Sequence, residues 1–219
     1  MKYKKAGLII SSLFCSIAGF SGAVKAQSID GGGWYLGAGV GRSNATGLSG
    51  IDTTLAGAGI SSTSTVGDTD TAWKLLAGYQ VNKYFGVEGG YGNLGQYNVN
   101  STVSAPGAGV GTATWKANNV WSLAGIGYIP IVDKLSAFGK VGFAYSKVSF
   151  NYSDTVGDAI SNSKSTTSPL YGVGMKYDFG NNVSVRGEFE RYQNVGDSNI
   201  TGQSSINVFS LGLLYRFGS

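Results

Sequence analysis

A two-residue hydrophobic period, repeated in eight segments of about ten residues, constrains this 219-residue chain more than any other feature. Trp34, Leu36, Ala38 and Val40 alternate with Tyr35, Gly37, Gly39 and Gly41. Trp73, Leu75, Ala77 and Tyr79 alternate with Lys74, Leu76, Gly78 and Gln80, and Val87, Gly89 and Tyr91 with Glu88, Gly90 and Gly92. Such alternation predicts β-strands with two unlike faces. The segments run roughly 33–43, 70–80, 84–95, 116–128, 135–149, 168–179, 182–194 and 206–217. No apolar run after Phe20 approaches the ~20 residues that a membrane-spanning helix needs.

The connections alternate strictly. Short links lie at 81–83, 129–134 and 180–182; long ones, rich in Ser, Thr, Gly, Asn and Ala, lie at about 44–69, 96–115, 150–167 and 195–205. In an up-and-down antiparallel meander this puts every long loop at one end and every short turn, with both chain termini, at the other. Eight such strands can close into a barrel whose interior is just filled by side chains.

Two barrels of opposite polarity share this pattern. One is a soluble cup with a charged skin, the other a membrane barrel with its apolar face in lipid. Composition chooses between them. Only 13% of residues are charged and 36 are glycine, so the polar face is too sparse for a solvated skin, whereas glycines suit a crowded lumen. The apolar face carries aromatics at both strand ends: Trp34, Tyr79, Tyr128, Tyr177, Phe179, Tyr215 and Phe217 toward the short turns, and Trp73, Tyr171 and Phe209 toward the long loops. Two aromatic girdles around an aliphatic band match the two membrane interfaces.

Residues 1–26 read as an export signal: Lys2, Lys4 and Lys5, an apolar run from Ala6 to Phe20, and Val24-Lys25-Ala26 as the cleavage site. Cys15 follows Phe14, where lipidation wants a small residue. The formal charge of +4 comes from this segment: without Lys2, Lys4, Lys5 and Lys25 the remainder, 27–219, holds 12 basic and 12 acidic residues. Basicity therefore gives no reason to expect nucleic acid. With no histidine and one cysteine, Ser-His-Asp, Cys-His and His- or thiolate-ligated metal sites are excluded. No catalytic, metal or cofactor site is expected. Gly37-Ala38-Gly39-Val40-Gly41 lacks the spacing and following helix of a phosphate loop.

The stretches GWYLGAGVGRS at 33–43, LLAGYQVNKYFGVEGGYGNLG at 75–95, LAGIGYIP at 123–130, SPLYGVGMKY at 168–177, SVRGEFERYQN at 184–194 and SLGLLYRFG at 210–218 together resemble the eight-stranded transmembrane domain of the outer membrane protein A family. The resemblance implies an all-β, eight-stranded antiparallel transmembrane barrel in the outer membrane of a Gram-negative bacterium. Its last strand, with Phe209, Leu211, Leu213, Tyr215 and Phe217 alternating, would be read by the barrel assembly machinery. The chain stops with the barrel, so the family's peptidoglycan-binding domain, and cell-wall anchoring with it, is not expected.

Strand parity then gives each charge a side. Lys74, Glu88, Lys140, Lys176, Arg186, Glu188 and Glu190 point inward, with Asp178 and Arg216 near the short turns. Buried charges must be paired, so an interior ion-pair network is expected, either a gate or a static plug. The resemblance places Glu88 and Arg186 on the family's interior salt-bridge gate. Its fourth-strand lysine falls on Gly125 and its sixth-strand glutamate on Lys176, which leaves Lys176 as the expected substitute cation for Glu88. Arg42, Lys116, Lys147 and Arg191 follow the outward parity at the long-loop end, either as solvated rim charges or against lipopolysaccharide phosphates.

The loops are mildly acidic, with Asp52, Asp68, Asp70, Asp154, Asp158 and Asp197 against Lys164, which disfavours polyanion binding and leaves a surface for a host or phage ligand. Three functions follow: a monomeric structural and surface-interaction protein (envelope integrity, adhesion or lipopolysaccharide contact), a narrow porin-like channel for small ions, and a lipid-modifying barrel enzyme. The eight-stranded palmitoyltransferase barrel and the related lipid A deacylases look like enzymes that use a histidine, and this chain has none, which ranks the third far below the others.

Overall fold

The computed structural model of the chain describes residues 32–46, 52, 56–57, 59–105, 109–155, 159–198, 200 and 202–217. The export signal at 1–26 and Asp158 lie outside the described residues. Among the described residues, ten antiparallel strands follow in chain order: β1 (Gly33–Thr46), β2 (Ser61–Gly67), β3 (Thr69–Gln80), β4 (Phe85–Asn93), β5 (Gly95–Ala105), β6 (Gly109–Val132), β7 (Leu135–Asp154), β8 (Ala159–Gly180), β9 (Val183–Asp197) and β10 (Gly202–Phe217). Eight of them close the ring β1–β3–β4–β6–β7–β8–β9–β10, sealed where β10 pairs with β1 from Trp34 opposite Phe217 to Thr46 opposite Ser205.

The other two strands lie in what the sequence reads as loops. β5 continues β4 after a break at Leu94, where Gly95 takes φ +107°, and pairs with the far end of β6; β2 then adds to β5. The long connections therefore carry strand where flexible loops are expected. β7 and β8 stay paired from Leu135 opposite Tyr177 to Ser153 opposite Ala159, far beyond the sequence-predicted limits of 149 and 168. Their Ser, Thr and Asn residues give little apolar contrast between faces, so the period fades although the backbone pairing continues.

Outward positions are apolar and exposed along the barrel. In β10, Phe209, Leu211, Leu213, Tyr215 and Phe217 all face out. Inward glycines make room for rings on the neighbouring strand. Gly78 lies directly opposite Tyr35, and a Cβ there would stand 2.3 Å from the Tyr35 ring. Gly174 lies opposite Phe138, with a corresponding separation of 2.5 Å. Cross-strand aromatic cover of glycine fills a narrow lumen without overpacking it.

One strand breaks the expected parity. In β6 the pairing with β7 slips between Asn118 and Trp121, with Asn119 at φ +51°. Such a bulge inserts one residue and exchanges the two faces beyond it. On the loop side Trp115 and Ala117 are buried; past the bulge Trp121 and Leu123 face out, while Ala124, Ile126 and Tyr128 face in. Tyr128 is thus a lumen residue and not part of the girdle. Gly125 faces outward into open space, so it does not occupy a lumen position equivalent to a gate lysine. Trp121 joins the outer girdle instead, 4.6 Å from Tyr91, which lies 5.9 Å from Trp73.

The parity exchange has a direct optical test. In single-tryptophan variants refolded into vesicles, brominated phospholipid should quench Trp121 strongly and Trp115 weakly. Equal quenching of the two would show that no exchange occurs.

Candidate functional site

The candidate site has two parts, a filled lumen and a charged rim. Strand β9 supplies the lumen's axis, because Arg186, Glu188 and Glu190 occupy three successive inward positions. Small residues fill four of the six positions opposite this ladder, the exceptions being Lys176 opposite Arg186 and Val208 opposite Glu190. Gly174 and Ser210 lie opposite Glu188, Gly212 opposite Arg186 and Gly172 opposite Glu190. The long charged side chains can then cross the barrel instead of colliding with its wall.

At mid-height three cations meet three carboxylates. Arg186 grips Glu88 with both terminal guanidinium nitrogens, at 2.6 and 3.0 Å, and reaches Glu188 at 3.2 Å. Lys140 lies 3.0 Å from Glu188 and 3.5 Å from Glu88 and also pairs with Glu190. Lys74 pairs with Glu188 and Glu190. The Tyr35 hydroxyl donates to Glu88 at 2.9 Å. Five of these six charged residues are no more than 4% exposed, so their mutual pairing replaces water almost completely.

Lys176 stands apart from this cluster. Its ammonium is 3.3 Å from Asp178 and 5.3 Å above the Tyr128 ring. It is therefore not the cation of Glu88; Arg186 and Lys140 are. Strand stagger explains the difference. Lys140 lies opposite Gly172 on β8, four residues from Lys176, or about 13 Å along a strand. The lower layer is completed by Arg216, which donates to the Gln80 carboxamide, and by Ser184, which donates to Asp178.

Two apolar layers bracket the mid-height charges. Below lie Tyr35, Leu76 and Leu214, and Ile126, Tyr128 and Phe138. At the long-loop end a larger cluster closes the interior, built on Tyr97, Trp115, Val148, Leu170, Tyr192 and Ile206. Sequence reasoning missed this roof, because it placed Tyr97 and Trp115 in a loop and read no inward apolar layer from Val148, Leu170, Tyr192 and Ile206 at the strand ends. The available signal was the continued alternation of Tyr97 with Val99, Trp115 with Ala117, and Val148 with Phe150.

The four rim cations are all on the outer side. Arg42, Lys147 and Arg191 are exposed and Lys116 is half-buried. Arg42 donates to the Thr69 hydroxyl at 3.3 Å and Arg191 to the Asn207 carboxamide at 3.2 Å, so both have neutral partners. Arg42 lies opposite Phe209 and Arg191 opposite Tyr171, so each rises directly from an interfacial aromatic. Above the rim, Asp52 accepts hydrogen bonds from the Ser64 hydroxyl, the Ser62 hydroxyl and the Ser64 backbone N–H. These donors hold its carboxyl below the usual carboxylate range.

Among known proteins, the family model described as OmpA-like transmembrane domain matches residues 30–219. Outer membrane protein A of Serratia marcescens is 33% identical over 214 residues, covering 94% of this chain and 55% of that protein. Outer membrane protein A of Escherichia fergusonii is 30% identical over 145 residues, covering 65% of this chain and 39% of that protein. The chain thus spans about half or less of these relatives' length. Among solved structures, Neisserial surface protein A has a TM-score of 0.53 at 11% identity, covering 86% of this chain and all of that one. OprG from Pseudomonas aeruginosa has a TM-score of 0.52 at 14% identity, covering 89% and 100%. At these identities the structural likeness concerns the fold.

Removing one partner from the buried cluster leaves an uncompensated charge. Glu88→Gln should lower the stability of refolded protein in urea by about 3–5 kcal/mol. A double-mutant cycle separates the two candidate cations. Glu88→Gln with Lys140→Met should show coupling above about 0.5 kcal/mol, and Glu88→Gln with Lys176→Met should be additive. Coupling to Lys176 alone would contradict the geometry.

Proposed function

The chain belongs to the OmpA-like transmembrane domain family, a β-barrel of the Gram-negative outer membrane, and from that premise we propose that its work is structural and interactive, carried by its outer surface and not by its lumen. The filled interior carries this reading. Arg186 and Glu190 are each 1% exposed, Leu170 is 1% exposed, and Ile206 and Val148 are fully buried, so a charge cluster and an apolar roof lie in series across the barrel. An ion would have to dissolve the first and part the second. This supports a static plug over a gate, and a surface role over a narrow porin-like pore. Envelope integrity, adhesion and lipopolysaccharide contact are the functions open to such a surface, and none of them is catalytic.

Lipopolysaccharide contact is the most concrete of these. Arg42, Lys116, Lys147 and Arg191 project outward at the end of the apolar belt, and the hydrogen bonds of Arg42 and Arg191 go to uncharged partners. A cation at that level meets the phosphates of the outer leaflet through charge-assisted hydrogen bonds. The protruding sheet above the rim offers the surface for a host or phage ligand. In the same reading the protein is a monomer, its signal is cleaved after Ala26 so that the exported chain begins at Gln27, and the outward residues of β10, from Phe209 to Phe217, are presented to the barrel assembly machinery.

Replacing all four rim cations with alanine should weaken binding of the refolded barrel to lipopolysaccharide vesicles while leaving its urea midpoint within experimental error. Undiminished binding by a folded quadruple variant would overturn the lipopolysaccharide reading. In planar bilayers the wild-type protein should give no sustained conductance, and steady ion-selective steps would favour the pore.

A further inference from the structure

Among the described residues, the lumen's charge is balanced in one layer and not in the other. At mid-height three cations face three carboxylates: Lys74, Lys140 and Arg186 against Glu88, Glu188 and Glu190. At the short-turn mouth Lys176 and Arg216 face Asp178. Both cations line one small cavity, together with Tyr35, Gln80, Tyr128 and Ser184.

The hydrogen bonds around this cavity determine what it can hold. Tyr35 directs its hydroxyl proton to Glu88, and Ser184 directs its own to Asp178. The Gln80 carboxamide is oriented from both sides. Its Nε2 donates to the Asn82 carbonyl at 3.0 Å, and its oxygen accepts from Arg216. That one contact uses part of the guanidinium fork and leaves further N–H groups, as the single 3.3 Å contact with Asp178 does for the Lys176 ammonium. The charged lining groups with donors to spare are both cationic, and the carboxylate beside them is already engaged by two partners. Such a lining favours an anion and repels a cation. The cavity is about the size of one water molecule, so a halide enters only as the flexible Lys176 and Arg216 side chains draw back a little, and a nucleotide or sugar phosphate does not fit.

We propose that the short-turn mouth of the lumen binds one small inorganic anion of halide size between Lys176 and Arg216. The site draws on β8 through Lys176, on β10 through Arg216 and on β3 through Gln80, with walls from β1 and β6 through Tyr35 and Tyr128. The two cations stand on β8 and β10, with β1 lining the wall beside its partner β10, so the anion binds only where the closed barrel brings these strands together. Anything that binds the folded state and not the unfolded one stabilises it by mass action. Chloride therefore strengthens the closed barrel independently of any lipopolysaccharide contact at the opposite end.

Urea unfolding of the refolded barrel, at constant ionic strength, tests this with sodium chloride against sodium isethionate, whose anion is too bulky for the cavity. The midpoint should rise saturably with chloride and not with isethionate. Arg216→Gln, at the half-buried mouth, should lose this dependence, whereas the rim variant Lys147→Gln should keep it. A bromide-soaked crystal should show one anomalous peak within hydrogen-bonding distance of Lys176. Superimposed chloride and isethionate curves, an unchanged chloride effect in Arg216→Gln, or no bromide peak at this mouth would each overturn the proposal.

Discussion

Every backbone N–H and C=O that crosses a bilayer core must find its partner within the protein, because the lipid offers none. For a chain of two-faced strands the only solution is closure, and the pairing of β10 with β1 supplies it over thirteen residue pairs from Trp34 opposite Phe217 to Thr46 opposite Ser205. Closure also dictates which face goes where. The apolar positions must line the lipid, so the charged positions are driven into a lumen too narrow to hydrate them. The interior ion cluster follows from the closed ring, and so does the glycine content. Only by omitting side chains at positions such as Gly78 and Gly174 can an eight-stranded ring also contain the rings of Tyr35 and Phe138.

The same constraint explains the change of character along the barrel axis. Within the lipid belt the outside is apolar and the inside is charged. Toward the long-loop end, where strands run on past the belt, the outside is Ser- and Thr-rich and the inside is an apolar roof built on Tyr97, Trp115, Leu170 and Ile206. Bulges mark the transition. Asn119 in β6 has positive φ beside a register slip, and Asn194 in β9 has φ +54° near the slip between Ser204 and Ile206 in β10. A bulge exchanges faces at the cost of one unpaired residue, so one continuous strand can serve two solvents.

How much of this was legible depended on whether parity stayed unbroken. In β1, β3, β4, β7, β8, β9 and β10 the two-residue period placed the inward charges and the outward aromatics on the faces they occupy. In β6 the extra residue at Asn119 reversed the faces, so Tyr128 and Gly125 were assigned to the wrong sides with no local apolar signal to reveal it. Partners were harder to read than faces. Lys140 and Lys176 both point inward on adjacent strands, and only the stagger between strands decides which one reaches Glu88. β2 was invisible because Ser61–Gly67 offers almost no apolar contrast between its faces and is held by its pairing with β5 and by hydrogen bonds from Ser62 and Ser64 to Asp52.

Electrostatics ties the interior and the rim into one argument. In the mid-lumen, every cation has a carboxylate within reach, because an unpaired charge in a dry, low-dielectric site is strongly unfavourable. At the rim, Arg42 and Arg191 hydrogen-bond to Thr69 and Asn207, which orient the guanidinium groups without neutralising them. Water alone would tolerate that arrangement, but these side chains rise directly beside Phe209 and Tyr171, at the edge of the lipid belt. Among the described residues, the mid-lumen cations are thus paired internally, whereas Arg42 and Arg191 keep their charge beside neutral partners at the edge of the belt. In the reading proposed above, the phosphate layer of the outer leaflet would supply the anion that these rim cations lack within the protein.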